Sequence, residues 1–89
     1  MRKSNLPQKL AEIIQLPKDL VYREPVLTMI GQKEVCIENY KSVRYYTETC
    51  IILMTKHGEL RLEGDKLSIE SYNNEEINIT GMICRLEFV

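Results

Sequence analysis

A regular alternation of apolar and polar residues over residues 56–88 limits what this chain can fold into more than any other feature. Apolar side chains recur there at every second place, in the pairs Leu60 and Leu62, Leu67 and Ile69, and Ile77 and Ile79. A period of two is typical of a β-strand with one buried face and one solvated face. Glycine, asparagine and aspartate cluster where the runs break, as tight connections require. The stretch therefore predicts short strands joined by turns.

The same stretch contains a weak internal repeat at an offset of 17 residues, in which Leu60-x-Leu62-x-Gly64 aligns with Ile77-x-Ile79-x-Gly81. Such a repeat fits a duplicated hairpin in an antiparallel meander, or two rungs of a short β-solenoid. Two copies are fewer than a solenoid needs, so the meander is favoured. Gly64 and Gly81 are each predicted to end a strand, because glycine tolerates the backbone of turns and bulges.

Further strand patterns lie upstream, within residues 27–30, 34–38, 43–47 and 50–55, and they are rich in β-branched and aromatic residues. The run Cys50-Ile51-Ile52-Leu53-Met54 is apolar on both faces, which predicts a central strand covered on two sides. Later in the chain, the alternation shifts between Ile83 and Leu86, which predicts a bulge. Residues 21–89 are therefore predicted to form a mainly β, antiparallel meander or sandwich-like domain of about seven to eight short strands, with the short β-solenoid as the alternative.

Residues 1–20 are predicted to form a short amphipathic helix followed by a connector. Ser4 or Asn5 can cap this helix, and Pro17 ends it. Its apolar stripe consists of Leu6, Leu10, Ile13 and Ile14. Because a helix of two to three turns is marginal alone, it requires a surface, which could be its own domain, a protein partner or a membrane.

Size and charge exclude several classes of protein. A chain of 89 residues makes one domain, and 12 basic against 13 acidic residues give a net charge of −1. A general nucleic-acid binder usually has a basic excess on one face instead. The longest apolar run, Cys50 to Met54, is too short to span a bilayer, and the N-terminus lacks the apolar core of a signal peptide. We therefore expect a cytoplasmic protein without a transmembrane segment.

No catalytic or metal-binding pattern is present in the sequence. His57 is the only histidine and lies in a predicted turn, and the four glycines are scattered rather than grouped as in a phosphate loop. Cys36, Cys50 and Cys84 form no C-x-x-C pair and sit within apolar strand patterns, where a cysteine usually acts as a small buried hydrophobe. The sequence therefore predicts a protein that is not an enzyme and takes no cofactor.

The segment Arg44-Tyr45-Tyr46 is the best candidate for a binding surface. One of two adjacent strand tyrosines must point away from the core, and tyrosine is enriched at protein interfaces. The competing interpretation is a small β-barrel-like module that stacks the bases of single-stranded nucleic acid on these rings, although Glu38 and Glu48 lie nearby. The predicted partner interface comprises Tyr40, Arg44, Tyr45 and Tyr46, together with Leu6, Leu10 and Ile13 of the N-terminal stripe.

The order and spacing of several motifs resemble the YabP/YqfC family of sporulation proteins. The motifs are Leu16-Pro17-Lys18-Asp19, Pro25-x-Leu27-Thr28-Met29-Ile30-Gly31, Ile37-Glu38-Asn39, Tyr45-Tyr46-Thr47-Glu48, Gly58-x-Leu60-x-Leu62-x-Gly64-x-x-Leu67-x-Ile69 and Ile77-x-Ile79-x-Gly81. The resemblance implies a small non-enzymatic protein made in the mother cell of endospore-forming bacteria. It also implies a companion membrane protein, YqfD. The residues leave open a peripheral membrane contact and self-association, and the resemblance implies that this membrane would be the forespore membrane. The family offers no catalytic residues to carry over.

Overall fold

The computed structural model describes residues 24–89, which form six β-strands and no helix. The strands are β1 (Val26–Ile30), β2 (Glu34–Glu38), β3 (Ser42–Tyr46), β4 (Cys50–Thr55), β5 (Gly58–Tyr72) and β6 (Glu76–Phe88). The helix predicted within residues 1–20, with Leu6, Leu10 and Ile13, lies outside the described residues. Residues 24–89 also contain no helix that could cross a membrane.

All six strands belong to one antiparallel sheet with the order β1-β2-β6-β5-β4-β3. Strands β3 to β6 form a meander, and β2 pairs with β6 to attach the β1–β2 hairpin to its other side. The prediction of a mainly β, antiparallel fold is therefore confirmed. The β-solenoid alternative is wrong, because neighbouring strands run in opposite directions within a single sheet.

The predicted number of strands is wrong, because the stretch from residue 58 to 88 makes two long strands and not four short ones. β5 has 15 residues and β6 has 13, and both continue through the glycines that were expected to end them. At Gly64 a side chain would collide with the carbonyl group of Met82 on the paired strand. Here glycine permits a close backbone approach within the strand. The predicted bulge near Ile83 is confirmed, since the register shifts so that Cys84 has no partner across the pair.

The β5–β6 hairpin folds back on itself at these glycines. The amide of Asn39 donates to the carbonyl of Glu75 at the hairpin tip (2.5 Å), and the amide of Lys41 donates to that of Met54 at the end of β4 (2.7 Å). Residues two apart in the chain are separated by about 7 Å at most. A straight β5 would instead hold its two ends about 46 Å apart. The long hairpin must therefore bend sharply.

The bend divides the sheet into two packed layers. The β3–β4 layer contains β3, β4 and the paired segments 58–63 of β5 and 85–88 of β6. The β1–β2 layer contains β1, β2 and the paired segments 68–72 of β5 and 77–80 of β6. This arrangement is sandwich-like, and among the described residues β1 and β3 each have a neighbour on one side only.

The hydrophobic core lies between the two layers. Its buried members are Val35, Ile37, Ile51, Leu53, Leu60, Leu62, Leu67, Ile77, Ile79 and Ile83. Five of the six side chains that defined the sequence alternation are among them, and the sixth, Ile69, packs against the cluster. The cysteine prediction is partly wrong, because Cys36 and Cys50 are only half-buried and Cys84 is exposed.

Candidate interaction surface

A bulge in β3 decides which way the side chains of this edge strand point. Tyr45 lies opposite Ile52 and Tyr46 opposite Ile51, whereas Arg44 is an extra residue with no partner on β4. Because paired residues share a face of the sheet, Tyr46 is on the same side as the buried Ile51, and Tyr45 is on the outer side. The sequence required one of the two tyrosines to point outward, and the bulge selects Tyr45.

Tyr45 belongs to a largely apolar patch on the outer side of the β3–β4 layer, which no other described element covers and which we call the Tyr45 face. Its members are Arg44, Tyr45, Cys50, Ile52 and Met54. The Tyr45 side chain is 52% exposed, and Nη1 of Arg44 contacts the sulfur of Met54 at 3.3 Å. Tyrosine, methionine and arginine are the residue types enriched at protein interfaces.

The prediction that β4 is covered on both sides stays a prediction, because among residues 24–89 only its inner side is covered. The inner residues Ile51 and Leu53 are fully buried, whereas Cys50, Ile52 and Met54 on the outer side are only half-buried. No described strand lies over this outer side, because the β1–β2 layer packs on the inner side, around the core that contains Ile51 and Leu53. Within residues 24–89, the second apolar face of β4 therefore packs against no other element.

Charged residues of alternating sign border the Tyr45 face. The Arg85 guanidinium lies 4.0 Å from the Glu63 carboxylate and 3.8 Å from that of Glu87, and all three side chains are well exposed. Arg61 lies opposite Ile52 on β5, and its Nε is enclosed without a hydrogen-bond partner. The border is thus nearly neutral, and it contains one guanidinium whose hydrogen-bonding capacity is not fully used.

Tyr46 forms a hydrogen bond that links the two layers, although its side chain is half exposed. Its hydroxyl oxygen accepts a hydrogen bond of 3.0 Å from the amide of Ile69 on β5. This bond joins the edge strand of one layer to a strand of the other. Its hydrogen-bonding role places Tyr46 between the layers, apart from the outward-facing Arg44 and Tyr45.

Tyr40 also bonds to its own sheet. It packs against the core, and its hydroxyl donates to the carbonyl of Asn73 at 2.7 Å, which ties the β2–β3 connection to the β5–β6 turn. Burial, with a smaller contribution from Tyr72, raises the pKa of its phenol. Of the predicted interface residues, the structure thus brings Arg44 and Tyr45 together on one outer face and gives Tyr40 and Tyr46 intramolecular bonds. Leu6, Leu10 and Ile13 lie outside the described residues.

A charged cluster that sequence reasoning missed fixes the start of β1. The Glu24 carboxylate lies 2.8 Å from Nζ of Lys56 and 2.7 Å from Nε2 of His57, and Nδ2 of Asn39 donates to the Glu24 carbonyl at 2.8 Å. The His57 ring also meets Phe88 edge-on, with centroids 6.5 Å apart. The cluster joins the entry to β1 with the β4–β5 turn, and the sequence gives no sign of it because Glu24 is remote in the chain.

We expect Glu24→Gln to destabilise the protein at neutral pH and to have little effect in acid. Hydrogen bonds from Lys56 and His57 lower the pKa of the Glu24 carboxyl below its ordinary value of 4.5. A lowered pKa stabilises the fold above the ordinary value, and this contribution disappears as the pH falls through the folded-state pKa. Since the carboxylate is half exposed, the difference should be about 0.2–1 kcal/mol at neutral pH.

The measurement is thermal unfolding of the wild type and of Glu24→Gln across a pH series. Glu59→Gln is the control, because it removes a carboxylate from the same region without removing an ion pair of the described residues. A difference between wild type and Glu24→Gln that stays constant down to strong acid would show that the carboxylate charge is not what stabilises the cluster.

Among residues 24–89, no three histidine, cysteine or acidic side chains converge in a way that could hold a metal ion.

The chain is 28% identical to the protein YqfC of Bacillus subtilis (strain 168), described as uncharacterized, over 88 residues that cover 99% of this chain and 95% of the relative. The sequence model of the YabP family matches residues 23–89, which include every strand of the sheet. The chain therefore belongs to the YabP family, as its resemblance to YabP/YqfC proteins predicted.

Proposed function

We propose that this protein is a non-enzymatic sporulation protein of endospore-forming bacteria that acts by protein–protein contact through the Tyr45 face. Its membership of the YabP family fits a sporulation-related protein. The observation that supports contact is the outward placement of Arg44, Tyr45, Ile52 and Met54 on a part of the sheet that no described element covers. An exposed apolar patch with a polar rim is typical of an interaction site.

The partner we propose is the membrane protein YqfD, which the family resemblance implies, or a second copy of this chain. The protein would then work in the mother-cell cytoplasm, at the forespore membrane. The nearly neutral rim of the Tyr45 face suits a protein partner, because its acidic and basic side chains can pair with charges of either sign on the partner's surface. Acidic side chains outnumber basic ones among residues 24–89, which disfavours the single-stranded nucleic-acid module as the alternative.

Replacing Tyr45 with alanine is expected to abolish co-purification with YqfD from sporulating cells. A tyrosine at the centre of an interface often contributes at least 2 kcal/mol, which corresponds to a loss of affinity of about 30-fold. Tyr72→Ala is the matched control. It truncates a tyrosine that is 72% exposed and lies on a strand segment of the β1–β2 layer.

Two results would contradict the proposal. If Tyr45→Ala retained the partner as well as Tyr72→Ala does, the Tyr45 face would not be the contact. If a single-stranded oligonucleotide were retained at low salt and released by Tyr45→Ala, the surface would be a nucleic-acid site instead.

A further inference from the structure

The two edge strands of the sheet differ in how they are protected against pairing with another strand. β3 carries a bulge at Arg44, and a bulge and a charge both discourage strand addition. β1 has neither, because Val26–Ile30 pairs with β2 in unbroken register and contains no charged residue and no proline. Among the strands of residues 24–89, β1 is therefore the edge that is better suited to accept a further strand.

The hydrogen-bond pattern shows which backbone groups of β1 face outward. The Lys33 carbonyl accepts from the Gly81 amide (3.1 Å), and the Asn39 amide donates to the Glu75 carbonyl (2.5 Å), so these two backbone groups point toward β6 or its preceding turn. Along a strand of an antiparallel sheet, the backbone N–H and C=O groups of successive residues point alternately to the two neighbouring strands. Residues 34, 36 and 38 of β2 therefore point toward β1 and bond to their register partners 30, 28 and 26. Leu27 and Met29 are left with N–H and C=O groups that point away from the sheet.

Side chains at this edge are also incompletely covered. Met29 lies opposite Val35 on the core side of the β1–β2 layer, yet Met29 is 43% exposed and Val35 only 2%. Ile30, on the outer side, is 65% exposed. A strand added beyond β1 would bond the free backbone groups and shield Met29 with its own core-side residues.

The charge next to β1 limits what that strand can be. The paired strand residues on the outer side of the β1–β2 layer include Glu34, Glu38 and Glu76 but no lysine or arginine. Lys33 and Lys66 line a pocket with Glu34 at the β1–β2 turn, yet none of the three carboxylates forms an ion pair with a described residue. Glu38 lies directly opposite Glu76, an arrangement that destabilises a strand pair. Between them the pKa of the Cys36 thiol is raised, first by burial and then by these two charges.

We propose that β1 accepts an extended segment of another protein in which basic and apolar residues alternate. The apolar side chains would lie on the core side beside Leu27 and Met29, and the lysine or arginine side chains would reach the glutamates on the outer side. A second copy of this chain fits poorly, because its own β1 is uncharged and would bring another acidic face to the junction. The site lies on the other layer from the Tyr45 face, so it does not depend on the function proposed above.

The test measures binding of two short synthetic peptides to the full chain, one alternating lysine and valine and the other glutamate and valine. We expect the lysine peptide to bind, with an affinity that falls as salt is added, and the glutamate peptide not to bind. Met29→Pro should weaken binding about tenfold, because proline removes one outward donor and no bond of the native sheet. Met29→Val, which keeps the N–H, should bind like the wild type.

Circular dichroism of both variants checks that the sheet is intact. The double variant Glu34→Gln with Glu38→Gln is an independent test, because it leaves the backbone of β1 unchanged. It should lower the affinity for the lysine peptide and reduce the salt dependence of that affinity. Equal binding of both peptides, or unchanged binding by a folded Met29→Pro variant, would overturn the proposal. A dimer of the wild type that Met29→Pro converts to a monomer would also overturn it, since the occupant would then be a second copy.

Discussion

Replacing Gly81 with alanine is expected to unfold the protein or to lower its free energy of unfolding by at least about 3 kcal/mol. Gly81 has φ of 132°, a region that is almost closed to residues with a Cβ atom. A Cβ atom built there would lie 2.6 Å from the Lys66 carbonyl oxygen and 2.9 Å from the Cα of Leu67. Both contacts are with the backbone of the paired strand, which can move only if the bend of the hairpin changes.

Gly31→Ala is the control that separates crowding from backbone conformation. Gly31 also has positive φ, 57°, but no atom lies within 4 Å of the position of its added Cβ. Its substitution should therefore cost about 1–2 kcal/mol, from the left-handed conformation alone. Urea denaturation of the two variants measures the difference. Equal losses would mean that the close approach of β5 and β6 at Gly81 does not determine the bend.

Gly64 and Gly81 show where sequence reasoning reaches its limit. The alternation on either side of Gly64 and Gly81 correctly predicted strands with one buried face, because period two depends only on neighbouring residues. A glycine that ends a strand and one that bends it look alike in the sequence, since both use the missing Cβ atom. Only the continued pairing of β5 with β6 beyond the glycines distinguishes the two, and that is a contact between distant residues.

The candidate surface was predicted in part for a similar reason. Arg44 and Tyr45 were expected at an interface, and they do lie together on an outer face. Tyr46 lies on the inner side because β3 has a bulge at Arg44. No glycine in the sequence indicates that a bulge occurs there. The hydrogen bond from Ile69 to Tyr46 spans 23 residues of the chain, and local sequence patterns contain no information about it.

The cover predicted for the outer face of β4 stays a prediction, because the described strands pack only on its inner face. A strand that is apolar on both sides usually lies between two layers, and this rule predicted a central position for Cys50–Thr55. In the structure β4 lies next to the edge strand β3, and the side chains of Ile52 and Met54 point away from the core. A strand with a second apolar face needs a surface to pack against, which is a reason to regard the Tyr45 face as a binding surface.

Ile79→Ala should cost about 2–5 kcal/mol, the other large effect that we expect. Ile79 is fully buried and lies opposite Val35 on β2 and Ile69 on β5, so truncating it leaves a cavity between three strands. Ile30→Ala removes the same atoms from a side chain that is 65% exposed, and it should change stability by about 0.5 kcal/mol or less. In urea denaturation the midpoint should fall for Ile79→Ala while the slope of the free energy against urea stays unchanged. Similar losses at both positions would mean that the two layers do not enclose a common core, and the Tyr45 face would then lose its rigid support.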